Sequence, residues 1–140
     1  MKGDPLPDQD HVARYCKPKT APDGQPTGAS FMLRPDEEFL SVNWLECFNR
    51  LDRQAQITQL RQNIVLKLAK AGKFAVLNVG ETLEYVHTNS DNKTLAVLHE
   101  PMPEDASHSG IHRYGYGHEK DLVADLIAET VQEIHPAMEP

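Results

Sequence analysis

The chain has 140 residues, 39% of them hydrophobic and 25% charged, with ten prolines and a mean hydropathy of −0.54. That length holds one domain with a core rather than two, and no apolar run approaches the roughly eighteen residues of a membrane span. A net charge of −7 argues against nonspecific nucleic-acid binding, because affinity for a phosphate backbone comes from Lys and Arg displacing counterions.

Residues 1 to 10 contain Pro5, Pro7 and three aspartates with little to bury, which predicts a flexible or draped N-terminal arm. A single domain is expected over residues 11–140. The first residues also lack the apolar stretch of a signal peptide. Cys16 and Cys47 stand apart with no C-x-x-C spacing, so two unbonded thiols and a cytoplasmic location are expected.

"HVARYC" alternates as a strand does, and the Pro-Asp-Gly of "KPKTAPDGQPTG" makes a turn. "ASFMLR" reads as a second strand pairing with the first across a long loop. Pro35-Asp36-Glu37-Glu38 has the composition of a helix start. Leu40, Trp44 and Phe48 then recur every four residues, predicting a helix from about 36 to 49. Ile57, Leu60, Ile64 and Leu68 mark one face of a second helix, with Gly72 placed to end it.

"KFAVLNVG" is a short apolar run closed by glycine, the pattern of a buried strand. "TLEYVHT" and "TLAVLHE" flank the turn-forming "NSDNK" and read as a hairpin, with a short helix over "ETLEYVH" as the competing reading. The three glycines of "SHSGIHRYGYGHE" suggest a loop. From Glu119 to His135, apolar residues at helical spacing predict a last amphipathic helix. Its outer face would carry Asp121, Asp125, Glu129 and Glu133 four residues apart. The expected fold class is α+β: a largely antiparallel sheet of about five strands covered by about three helices.

The sequence has no phosphate-cradling P-loop, no dinucleotide fingerprint and no nucleophile-elbow motif. His99-Glu100-Pro101 does not continue as H-E-x-x-H, and proline would break the helix which that motif needs. His99, His108, His112 and His118 supply enough imidazoles for a metal, but their loop setting and the absence of a nearby cysteine lead us to expect neither metal nor cofactor.

A metal-free histidine site fits the residues better. Acid–base chemistry needs groups that titrate near neutral pH, together with a cation to stabilise developing charge. His11, Arg14, Glu46, His99 and His108 are the catalytic candidates, with His99 and His108 expected to flank one cleft and Pro101 and Pro103 to stiffen the loop between them. His87 and His135 read as surface residues, and Trp44 as a core anchor.

The function these residues suggest is a small intracellular protein with a polar His/Arg/Glu cleft for a phosphate-bearing or other anionic ligand, a small molecule or nucleotide, acting as a metal-independent hydrolase or transferase. The alternative is a non-enzymatic binding module of the antitoxin, immunity or adaptor kind. It would dock a basic protein partner on Asp121, Asp125, Glu129 and Glu133. The basic stretch from Arg50 to Lys73, six bases against one acid, is most simply a solvated face that offsets the acidic C-terminal region.

Overall fold

A computed structural model describes residues 1–50, 52–64 and 66–138. It contains β1 (His11–Cys16), β2 (Phe39–Trp44), α1 (Arg53–Asn63), β3 (Lys73–Asn78), α2 (Val79–Asn89), β4 (Ala96–His99), β5 (His108–His112), α3 (His118–Glu129) and β6 (Glu133–Pro136). The strands form one sheet in the order β4-β5-β2-β1-β3-β6, and every neighbouring pair is antiparallel. The fold is the expected single-domain α+β class, with six strands among the described residues rather than about five.

Several elements differ from the sequence reading. The segment expected as a helix from about 36 to 49 is strand β2 followed by a 3-10 turn at Leu45–Phe48. A repeat of four is a multiple of the strand period and close to one helical turn, so Leu40 and Trp44 satisfy both patterns. The strand wins because Leu40 and Val42 bury their side chains while β1 and β5 take up both edges. "ASFMLR" forms a 3-10 turn at Gly28–Phe31, capped by Thr27 Oγ1 accepting from the Ala29 N–H, so the expected first hairpin is absent.

"TLEYVHT" belongs to helix α2, the competing reading. The Asn78 side chain caps it by accepting from the Glu81 N–H at 2.9 Å, and Val79, Thr82 and Val86 are its buried positions. The predicted "SHSGIH" loop is instead β5, an interior strand whose Ser109, Gly110, Ile111 and His112 are buried. Helix α1 starts on an Asp52 cap and ends at Asn63, so Gly72 does not terminate it. Val65, part of the longer helix expected there, lies outside the described residues. The last helix stops at Glu129, and Glu133 belongs to edge strand β6.

The larger core fills one face of the sheet, where Val12, Leu40, Val42, Leu77 and Ile111 meet α2, α3 and Phe31. A smaller core on the opposite face joins Ala13, Phe74 and Val76 to Ile57 and Leu60 of α1. Residues 3–6 run along the outer edge of β4, and Asp8 and Asp10 accept from the Gly80 and Val79 N–H groups at the start of α2. The Gly3 N–H donates to His99 O, the His99 N–H to Asp4 O and the Leu6 N–H to Val97 O, and Leu6 is buried. Backbone groups on that edge are thereby bonded within the chain. Among the described residues, no helix is long and apolar enough to cross a membrane.

Candidate functional site

Helix α1 packs on the β1-β3 part of its sheet face, and among the described residues no α-helical residue joins a core over the β4-β5-β2 part. Cross-strand partners share a face, so the register brings Phe39, Ser41 and Asn43 of β2 beside His108, Gly110 and His112 of β5. Apart from Phe39 this half-face is polar, in a molecule whose opposite face is apolar. A cavity of about 320 Å³ opens on it, lined by Arg14, Tyr15, Ser41, Asn43, Asp105 and His108, with apolar walls from Ile64, Leu66 and Met102.

Ser41 and His108 form the chemical centre. His108 Nδ1 lies 2.8 Å from the Glu100 carbonyl oxygen, and Nε2 lies 3.1 Å from Ser41 Oγ. A carbonyl only accepts, so Nδ1 carries the proton and Nε2 presents its lone pair to the serine hydroxyl. That tautomer is a base aimed at a nucleophile, with a backbone carbonyl orienting the ring from behind. Glu100 is held in turn: its N–H donates to His108 O at 2.9 Å, closing the β4–β5 hairpin.

The hairpin loop is fixed by a buried polar network. Asn43 Nδ2 donates to Asp105 Oδ2 at 2.7 Å and to Ser107 Oγ at 2.8 Å, while Ser107 donates through N and Oγ to Asp105 Oδ1. The turn is tightened by mutual backbone bonds between Met102 and Asp105. Farther along β5, His112 Nε2 lies 2.9 Å from Glu100 Oε2, out of line for a hydrogen bond, and Phe39 stacks on the imidazole at 4.6 Å.

Arg14 enters from β1. Among the described residues the ladder between β1 and β2 spans only Val12–Trp44 and Ala13–Asn43, and beyond these residues the strands diverge. The guanidinium occupies the gap, with Nε donating to Ser30 O at 2.9 Å and Nη1 to Ser41 O at 3.0 Å. Among the described residues no carboxylate pairs with it. Burial pulls its pKa below the ordinary value, opposed by Tyr114, Cys16 and Glu37, but a guanidinium stays charged across the physiological range. Tyr15 stands beside it; its hydroxyl accepts from the Ala69 N–H at 2.7 Å and keeps its own proton to donate.

The other candidates lie elsewhere. Glu46 accepts from both the backbone N–H and Nδ1 of His11, each at 2.7 Å, and neither residue lines the cavity. His99 pairs in register with Ser109 and so shares the face of Trp44, not that of His108. Its Nε2 meets the Ala106 carbonyl at 2.7 Å and its ring packs edge-on against Trp44 at 5.1 Å. Of the five candidates, the fold brings Arg14 and His108 together, pairs His11 with Glu46, and leaves His99 on the reverse side.

Asn43, beside Trp44 in "SVNWLE", reads from the sequence as either a site residue or a solvated one, whereas Ser41, Tyr15 and Asp105 are not candidates there. The signal for Ser41 is the alternation in "FLSVNW", which puts it on the face opposite Leu40 and Val42. Cys47 is a poor nucleophile because burial and the neighbouring Asp105 push its pKa up. Among the described residues, no three His, Cys, Asp or Glu side chains are grouped to hold a metal ion. No family model matches the chain, and neither a curated protein nor a solved structure matches it.

Proposed function

We propose that the protein is a hydrolase or transferase for a small anionic ester, with Ser41 as nucleophile and His108 as general base. The observation that carries this reading is the Ser41–His108–Glu100 carbonyl relay opening on a cavity also lined by Arg14, which no carboxylate pairs with among the described residues. In the proposed step, Ser41 Oγ attacks the ester carbonyl carbon and its proton passes to His108 Nε2. The leaving alcohol takes that proton back, and water activated by the same nitrogen then releases the acid from Ser41. Arg14 Nη2 and the Tyr15 hydroxyl are the donors available to an oxyanion. Two unbonded thiols, Cys16 and Cys47, fit a reducing cytoplasmic setting.

The docking alternative has less support. Glu133 pairs with Arg53 at 3.2 Å and with His135, and Glu129 accepts from the Tyr85 hydroxyl. Only Asp121 and Asp125 remain of the four-acid stripe, and the Asp125 carboxylate packs against Gly28.

A fluorophosphonate probe followed by peptide mass spectrometry tests the assignment. Ser41 should be labelled in the wild type, and labelling should fall by about a thousandfold in His108→Ala. With 4-nitrophenyl acetate, Ser41→Ala should lose the hydrolysis that the wild type performs. Labelling of a different serine, or hydrolysis unchanged in Ser41→Ala, rejects the reading.

A further inference from the structure

Where β1 and β2 part, a second cavity of about 710 Å³ adjoins the first and shares Arg14, Tyr15, Ser41 and Leu66 with it. The two differ in charge. The Ser41–His108 cavity sets Arg14 against Glu104 and Asp105, whereas the second gathers Lys17, Lys19 and Arg34 around Arg14 against Glu37 alone. A doubly charged anion is repelled by the first cavity and matched by the second.

The cationic wall is held in place by its own loop. Thr20 O accepts from the Thr27 N–H at 3.2 Å, from Thr27 Oγ1 at 3.1 Å and from Ser30 Oγ at 2.8 Å, which ties Thr20, the residue after Lys19, to the 3-10 turn at Gly28–Phe31. Ser30 O in turn accepts from Arg14. Lys19 directly precedes this braced segment and Arg14 is bonded to it, so the backbone that carries them loses less entropy when a ligand settles there. Arg14 is the one cation of this group removed from water, and it reaches both cavities.

We infer that the second cavity is the subsite for a phosphate group carried by the substrate, with Arg14 at the junction, so that an acyl group would lie along Ile64, Leu66 and Met102. The assignment of the acyl end rests on the Ser41–His108 reading; the phosphate subsite itself does not. The substrate class is then a short-chain ester of a phosphorylated alcohol. Arg14 has two roles in this arrangement: one edge of its guanidinium fixes the strand gap, and the remaining donors face ligand.

Pyrophosphate binding measured by titration calorimetry tests the subsite without any turnover. The wild type should bind it, and a variant combining Lys17→Gln, Lys19→Gln and Arg34→Gln should bind at least about tenfold more weakly. These three side chains are exposed, so the fold should survive, as circular dichroism would verify. Glu37→Gln should tighten binding. No binding by the wild type, or equal binding by the triple variant, overturns the inference.

Turnover gives a second arm, comparing the acetate ester of 4-hydroxyphenyl phosphate with that of 4-methoxyphenol. The phosphorylated ester should show at least a tenfold higher kcat/KM, reduced to near parity in the triple variant. If pyrophosphate binds as expected but neither ester is cleaved, the phosphate subsite stands and only the Ser41–His108 reading falls.

Discussion

The ring of Phe39 occupies the space that a side chain at position 110 would need. A Cβ added to Gly110 would come within 2.3 Å of Phe39 Cδ1. Gly110 and Ser41 are cross-strand partners, so this glycine lets Phe39 lean over β5 and stack on His112. Gly110→Ala should displace the ring and destabilise the fold by about 1–3 kcal/mol, the usual cost of overpacking. Urea denaturation measures it, and a variant as stable as the wild type would show that Phe39 moves aside freely.

Four substitutions should separate chemistry from scaffolding. His11→Ala and Glu46→Ala break a bonded pair away from the cavity and should each lower stability by about 1 kcal/mol while leaving ester turnover within twofold. His99→Ala, on the far face, should behave in the same way. Ser41→Ala should do the reverse, abolishing turnover with little change in melting temperature. If Glu46→Ala removed activity at unchanged stability, the catalytic centre would lie at the His11 end of β1.

The Asn43–Asp105–Ser107 network links stability to the site. Asp105→Ala leaves Asn43 Nδ2 and the Ser107 donors without their carboxylate, a loss of about 1–3 kcal/mol for each buried group left unsatisfied. It should also loosen the loop from Glu100 to Ser107, and with it the carbonyl that fixes the His108 tautomer. Native-state hydrogen exchange should show faster exchange at the Ser107 N–H, and kcat should fall more than KM rises. Unchanged exchange in this loop would contradict the bracing role.

Alkaline stability follows from two buried acids. Burial pushes the Cys16 thiol above its ordinary value of 9.0 and the Tyr114 phenol further above its ordinary value of 10.0. The folded state therefore holds protons that the unfolded chain releases. The stabilisation is complete below those ordinary values and is lost as pH rises through them toward the folded values. Each group can contribute a decline of up to about 1.4 kcal/mol per pH unit in that window.

Thermal melts from about pH 8 to about pH 11 should show the decline. Tyr114→Phe should cost about 1 kcal/mol at neutral pH, because the hydroxyl donates to Phe31 O at 2.8 Å, yet flatten the curve above the ordinary phenol value. Parallel curves for the two proteins would remove Tyr114 from the account.

Local physics accounts for a good part of the architecture. "HVARYC" and "KFAVLN" are strands as read, and the apolar stripe after Glu119 forms the helix expected over most of its length. Where the reading went astray, two periods were compatible with the same residues. The four-residue spacing of Leu40 and Trp44 suits either element, and β2 became a strand because β1 and β5 each supply a ladder for it. "SHSGIHRYGYGHE" reads as a loop because of its three glycines, but Gly115 and Gly117 lie beyond β5, and His108 and Ser109 satisfy their polar groups inside the sheet.

The sequence by itself determined the fold class, the presence of one domain, and the stock of histidines and cations from which a site can be assembled. Only the tertiary structure decided which of them meet. Ser41 and His108 are 67 positions apart and come within hydrogen-bonding reach through the β2–β5 register, while His99, across the same hairpin loop and paired with Ser109, is turned away. A strand shifted by one residue presents every side chain to the other face, and that register is set by long-range pairing that no local pattern in the chain contains.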